Sequence, residues 1–147
     1  MDYTQAFVIS AAGMTVERAR VDVAAVNLAN ANTVQDPQGG VYRPLRAVAR
    51  NTGMASFAGL VEAADGDAAL PALPTVSVEA ADVAPRMVYD PGHSFANTKG
   101  FVAYPGVDTA VEMVTMMSAT RAYEANVAAM NAARTMALKA LDIGGST

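Results

Sequence analysis

The chain has no cysteine, no tryptophan and a single histidine, and aromatic residues make up only 6% of its 147 positions. Without cysteine there is no disulfide framework, thiolate metal site or thiol nucleophile, although this absence assigns no compartment. Charge is scarce too, at 16% with a net charge of -4, and lysine and arginine neither cluster nor interleave with aromatics. Nucleic acid and anionic membrane surfaces are therefore set aside as partners. No uninterrupted apolar run is long enough to span a bilayer or to form the core of a secretory signal, and the first charge is Asp2 rather than a basic residue. Neither direct membrane insertion nor a cleavable signal is expected.

What the chain does have is alanine, methionine and valine at helical spacing near both ends. In a first helix, roughly Thr4 to Ala29, one seven-residue repeat runs through Phe7, Met14, Val21 and Leu28. A second repeat, Ile9, Val16 and Val23 with Val26, falls nearly opposite when each residue turns about 100°. The polar seams between them hold Ser10, Glu17, Arg20, Asp22 and Asn27. A last helix, roughly Thr109 to Asp142, carries Met113, Val127 and Leu141 in one heptad position and Met116, Tyr123, Met130 and Ala137 in another. Such a helix runs about 50 Å at 1.5 Å per residue, more than a compact domain of this mass needs. Helices with two apolar faces, in a chain that is 52% hydrophobic, call for partners.

Between the helices the pattern changes period. Asp2 and Gln5 stand at capping-box spacing before the first helix, and Thr109 and Glu112 before the last. The run from Asn27 to Thr33 stops the first helix, because asparagine side chains compete for backbone hydrogen bonds. A turn is expected at Asp36 to Gly40. Val41 to Arg50 is strand-like, with Pro44 confining it to an edge or a strand start. Gly53 to Pro74 reads as a flexible loop. Short strands are expected at Thr75 to Glu79, Arg86 to Tyr89 and Phe101 to Tyr104, and a positive-φ cap at Gly144-Gly145. The resulting organisation is an N-terminal axial helix over 1–33, a β-rich segment over 34–107 containing the loop 53–74, and a C-terminal axial helix over 108–147. The fold class is mainly α with a small β module: two long terminal helices as an α-helical hairpin or coiled coil, and a short-stranded outer segment between them.

Little in the sequence can carry catalysis. His93 lies three residues after Asp90 and next to Ser94, but no strained serine elbow accompanies it, and a turn histidine is the better reading. One histidine with scattered carboxylates lacks metal-ligand spacing, and neither glycine pair precedes a phosphate-cradling lysine. No catalytic residue, metal or cofactor is expected. The methionines read as adaptable packing residues.

Several segments taken together carry a resemblance. They are Asn27-Leu28-Ala29-Asn30-Ala31-Asn32-Thr33 with Gly40-Val41-Tyr42-Arg43, Val88-Tyr89-Asp90-Pro91-Gly92-His93, Gly100 to Pro105, and the run from Glu112 through Ser118-Ala119-Thr120-Arg121-Ala122-Tyr123-Glu124-Ala125-Asn126-Val127 to Gly144. This set closely resembles the bacterial flagellar basal-body rod proteins, and the Tyr-Asp-Pro-Gly-His turn and Tyr-Pro step point to one subunit type of the proximal rod. The resemblance implies a structural, non-enzymatic rod subunit, exported through the flagellar type III apparatus without a cleavable signal and assembled in the periplasm. Its implied partners are copies of itself, other rod and axial proteins, and the base of the rod with the export apparatus. Phe7, Met14, Val21 and Leu28 are expected to meet Met116, Tyr123, Met130 and Leu141 in an inner seam, while Ile9, Val16, Val23 and Val26 meet neighbours. Asn27, Asn30, Asn32, Tyr42 and Arg43 are expected to fix the exit of the first helix. Rival readings are another rod subunit of the same family, or a soluble helical coiled-coil adaptor whose helices are ordered in dilute solution.

Overall fold

A computed structural model of the chain describes residues 3–34, 40–51 and 73–144. Two helices dominate it: α1 at Tyr3–Asn30, 28 residues, and α2 at Thr109–Gly144, 36 residues. Alanine, methionine and leucine lose little conformational freedom in a helix, which is why both run so long. Between them lie β1 (Leu45–Asn51), β2 (Pro74–Ala80), β3 (Arg86–Tyr89) and β4 (Phe101–Tyr104).

Local chemistry accounts for the boundaries. At the end of α1 the Asn30 amide Nδ2 donates to the Val26 carbonyl at 2.8 Å, and Thr33 N–H donates to the Asn30 carbonyl at 3.0 Å. The helix stops there. β1 starts at the residue after Pro44, whose carbonyl accepts from Ala81 N–H at 2.7 Å, so the proline serves the ladder only as an acceptor. At the start of α2 the cap is Asp108, not Thr109. Asp108 Oδ1 accepts from Ala110 N–H at 2.9 Å and Val111 N–H at 3.2 Å, satisfying two of the free donors at the helix end with a full negative charge. Glu112 does not close a capping box; its carboxylate is engaged by Asn27. α2 is helical through Gly144. Asp2, the turn residues Asp36 to Gly39, the loop at 53–72 and Gly145 lie outside the described residues.

The strands form two two-stranded sheets, β1 with β2 and β3 with β4. In the second, antiparallel, Arg86 faces Tyr104 and Tyr89 faces Phe101. Its connection is organised by Asn97, whose Oδ1 accepts from Lys99 N–H at 2.9 Å and Phe101 N–H at 3.0 Å, and by Gly100 at a φ of 78°. That angle suits glycine because it has no Cβ to clash. Alternation along β4 puts Val102 inside and Phe101 outside.

The chain divides into two compact units. One comprises 19–48 and 78–119; the other comprises 1–18, 49–77 and 120–147. Val102, Asn27 and Pro105, the largest fully buried side chains among the described residues, all belong to the first. Among the described residues the buried apolar set is Val23, Ala24, Ala31, Val102, Ala119 and Ala133, four of which are alanine, whereas eighteen large apolar side chains stand exposed. A core built mostly of methyl groups removes little apolar area from water.

Candidate assembly surfaces and the asparagine clamp

The best-organised polar site is built around Asn27 near the end of α1. Its side chain is 1% exposed. Nδ2 donates to the Leu45 carbonyl at 2.8 Å and to Glu112 Oε1 at 2.9 Å, while Oδ1 accepts from Tyr42 Oη–H and Leu45 N–H, both at 2.8 Å. Two donors and two acceptor sites are the whole capacity of a carboxamide, so every one is used. One side chain thus joins the helix end, the Tyr42 segment, the first residue of β1 and the first turn of α2. Burial, and then the nearby Glu112 carboxylate, raise the Tyr42 phenol above its ordinary 10.0, because both disfavour the phenolate. The phenol therefore stays a donor.

The other asparagines differ in kind. Asn30 bonds within its own neighbourhood, to Val26 and Thr33. Asn32 is exposed and lines a cavity of about 520 Å³ with Arg86, Pro105 and Asp108. Arg43 pairs with Asp82 at 3.5 Å, both side chains well exposed, where an ion pair adds little.

In the second unit the notable approach is between Gly13 and Asn126. A Cβ added at Gly13 would lie 2.8 Å from Asn126 Nδ2 and 3.0 Å from its Cγ. Glycine leaves room for that amide. Together with the clamp this marks the enclosed stripe of α2 as Glu112, Ala119, Asn126 and Ala133, a strict heptad of small and polar side chains, with Ala119 and Ala133 buried.

The apolar heptads stand elsewhere. Phe7, Met14, Val21, Leu28, Met116 and Met130 are half-buried; Tyr123 and Leu141 are exposed, Leu141 at 71%. Of the residues expected to face neighbours, Ile9 and Val26 are exposed, Val16 is half-buried, and Val23 is covered by its own chain. Of the outward face at the start of α2, where Val111, Met113, Val114 and Met117 are each more than half exposed, the heptad pattern caught Met113 alone and left out the other three, together with Ile143 at 78%. Their spacing fits no single heptad position, which is why the repeat search missed them.

His93 sits in the turn after β3 with its Nδ1 accepting from Phe95 N–H at 3.2 Å and its ring 5.8 Å from that of Phe95. Its bonding is local to the turn. Among the described residues no group of three metal-ligating side chains converges, and no helix is long and apolar enough to cross a membrane.

Comparison with known proteins gives a consistent picture. Residues 98–143 match the family model for the flagellar basal body rod FlgEFG protein C-terminal region. The chain is 38% identical to the flagellar basal-body rod protein FlgC of Escherichia coli O157:H7 over 139 residues, covering 94% of this chain and 95% of the relative. It is 36% identical to FlgC of Salmonella typhimurium, covering 94% and 95%, and 38% identical to FlgC of Bacillus subtilis, covering 92% and 94%.

Proposed function

The chain belongs to the FlgC family of flagellar basal-body rod proteins, and from that premise we propose that it works as a subunit of the proximal rod, assembled with copies of itself and other axial proteins into a shaft that carries torque. It is a structural rod protein of the flagellum, and its work is packing rather than catalysis. The observation that carries the reading is the balance of surface. The most enclosed stripe of α2 is small and polar, while nine large apolar side chains of the same helix, from Val111 to Ile143, stand exposed. At about 25 cal/mol per Å² that surface is stable only when neighbours cover it.

The finer architecture follows the same logic. Gly13 lies against Asn126 and Asn27 bonds Glu112, so position rises along α1 as it falls along α2. These two contacts support an antiparallel α-helical hairpin with axial helices at both ends and the β-rich segment between them. Different apolar faces then meet different neighbours in heterologous contacts that build a filament instead of closing a dimer. In this reading the chain passes through the flagellar type III apparatus and assembles in the periplasm, next to the base of the rod. Ile9, Val26, Met113, Met117 and Leu141 meet neighbours.

Deleting the gene and imaging cell envelopes by electron microscopy tests the proposal: rods are expected to be missing beyond the inner-membrane ring, and intact rods would overturn it. Site-specific crosslinking in isolated basal bodies distinguishes this subunit's position from that of other rod subunits.

A further inference from the structure

The two asparagine contacts share a spacing that neither helix needs for its own stability. Gly13 and Asn27 are fourteen residues apart on α1, and Glu112 and Asn126 are fourteen apart on α2. Fourteen residues is two heptads, the repeat that returns a side chain to the same face of a packed helix. We propose that these contacts are paired register keys, selecting one alignment of α1 along α2 against slips by a heptad; the inference rests on the antiparallel pairing proposed above.

The need for keys comes from the seam itself. Ala24 and Ala31, seven residues apart, and Ala119 and Ala133, fourteen apart, are alike in shape, so the apolar contacts of the seam select its register only weakly. Slipping changes the polar positions sharply. A slip in either direction takes Asn27 away from Glu112, leaving a buried carboxamide without one of its two acceptors. It also brings the Asn126 amide opposite position 6 or position 20, an alanine or an arginine, in place of the glycine whose missing Cβ admits it. Buried polar groups that choose among near-degenerate alignments are a known use of such residues in helical pairs. Correct register matters here because it phases the outward faces carrying Met113, Met117 and Leu141. A slipped subunit would present them about 10 Å out of place along the axis, at 1.5 Å per residue.

The absence of cysteine makes the test direct. Ala24 and Thr115 line one small cavity and mark the native alignment. The full chain carries Thr115→Cys with Ala24→Cys for that alignment, or with Glu17→Cys or Ala31→Cys for a slip in either direction. Each pair is treated with a short bis-maleimide in cells and on purified protein, and intramolecular products are read by mass spectrometry. Without further change only the 24/115 product is expected. Adding Asn27→Leu is expected to raise the slipped products about tenfold, as the loss of one charge-assisted hydrogen bond implies. Glu112→Gln keeps an acceptor for the Asn27 amide and is expected to give 24/115 alone. Two results overturn the proposal: Asn27→Leu giving only the 24/115 product, or Asn27→Leu giving none of the three, which would mean that Asn27 holds the helices together without choosing their alignment. Absence of the 24/115 product in the otherwise unsubstituted chain overturns the pairing beneath it, whereas rod formation by that chain reports separately on the proposed function.

Discussion

At the scale of single residues, Asn27 shows how much one buried carboxamide can coordinate. Asn27→Ala leaves Leu45 N–H, Tyr42 Oη and Glu112 without their partner, and unsatisfied buried groups cost about 1–3 kcal/mol each before relaxation or water entry. Tyr42→Phe removes a single hydrogen bond and should cost about 1 kcal/mol. Denaturant midpoints of the full chain should therefore fall further for Asn27→Ala than for Tyr42→Phe, and equal effects would count against the clamp. The same phenol predicts a pH response. Its folded value lies above the unfolded 10.0, so its stabilising contribution is complete below pH 10.0 and is lost as the pH rises through the folded value. Unfolding midpoints measured from pH 9 to 12 should show this loss in the parent chain and a shallower one in Tyr42→Phe. Sequence alone could single out Asn27 as a helix-stopping asparagine. It could not show that Glu112, 85 positions away, completes its bonding, because local propensity carries no information on which distant groups share a site.

At the scale of elements, both long helices and the four strands fall close to where periodicity places them, since a repeat near 3.6 or 2 is a direct consequence of which faces are covered. The start of α2 differs in its cap. Asp108→Ala should destabilise α2 by about 1 kcal/mol, whereas Thr109→Ala should be nearly silent, a contrast read in the denaturant midpoint of the full chain. Pattern matching favoured Thr109 because Glu112 stands three residues on; the structure uses Glu112 to hold Asn27 instead. Capping boxes are local, and a tertiary hydrogen bond to a buried amide outweighs one at an exposed helix end.

For the whole molecule, stability of the single chain and competence to assemble should separate. Leu141 is already exposed at 71%, so Leu141→Asp removes little intrachain contact and is expected to leave the unfolding midpoint of the purified chain unchanged within about 0.5 kcal/mol. Motility in a strain complemented with that variant should nevertheless collapse, because a carboxylate would be buried against a neighbour. Normal swimming would remove Leu141 from the assembly surface. His93→Ala, by contrast, should complement fully in a soft-agar motility assay, since the His93 ring engages only the adjacent turn.

What the amino-acid order determined unaided is that two long alanine- and methionine-rich helices flank a short-stranded segment, and that they carry more apolar surface than one copy can cover. Periodicity and composition decide this, because helix geometry converts spacing into faces. Only the tertiary structure decided which face turns inward. The stripe of α2 that holds its buried residues is Glu112, Ala119, Asn126 and Ala133, since small side chains and satisfied amides permit close approach within the chain, while Met113, Met117 and Leu141 stand exposed.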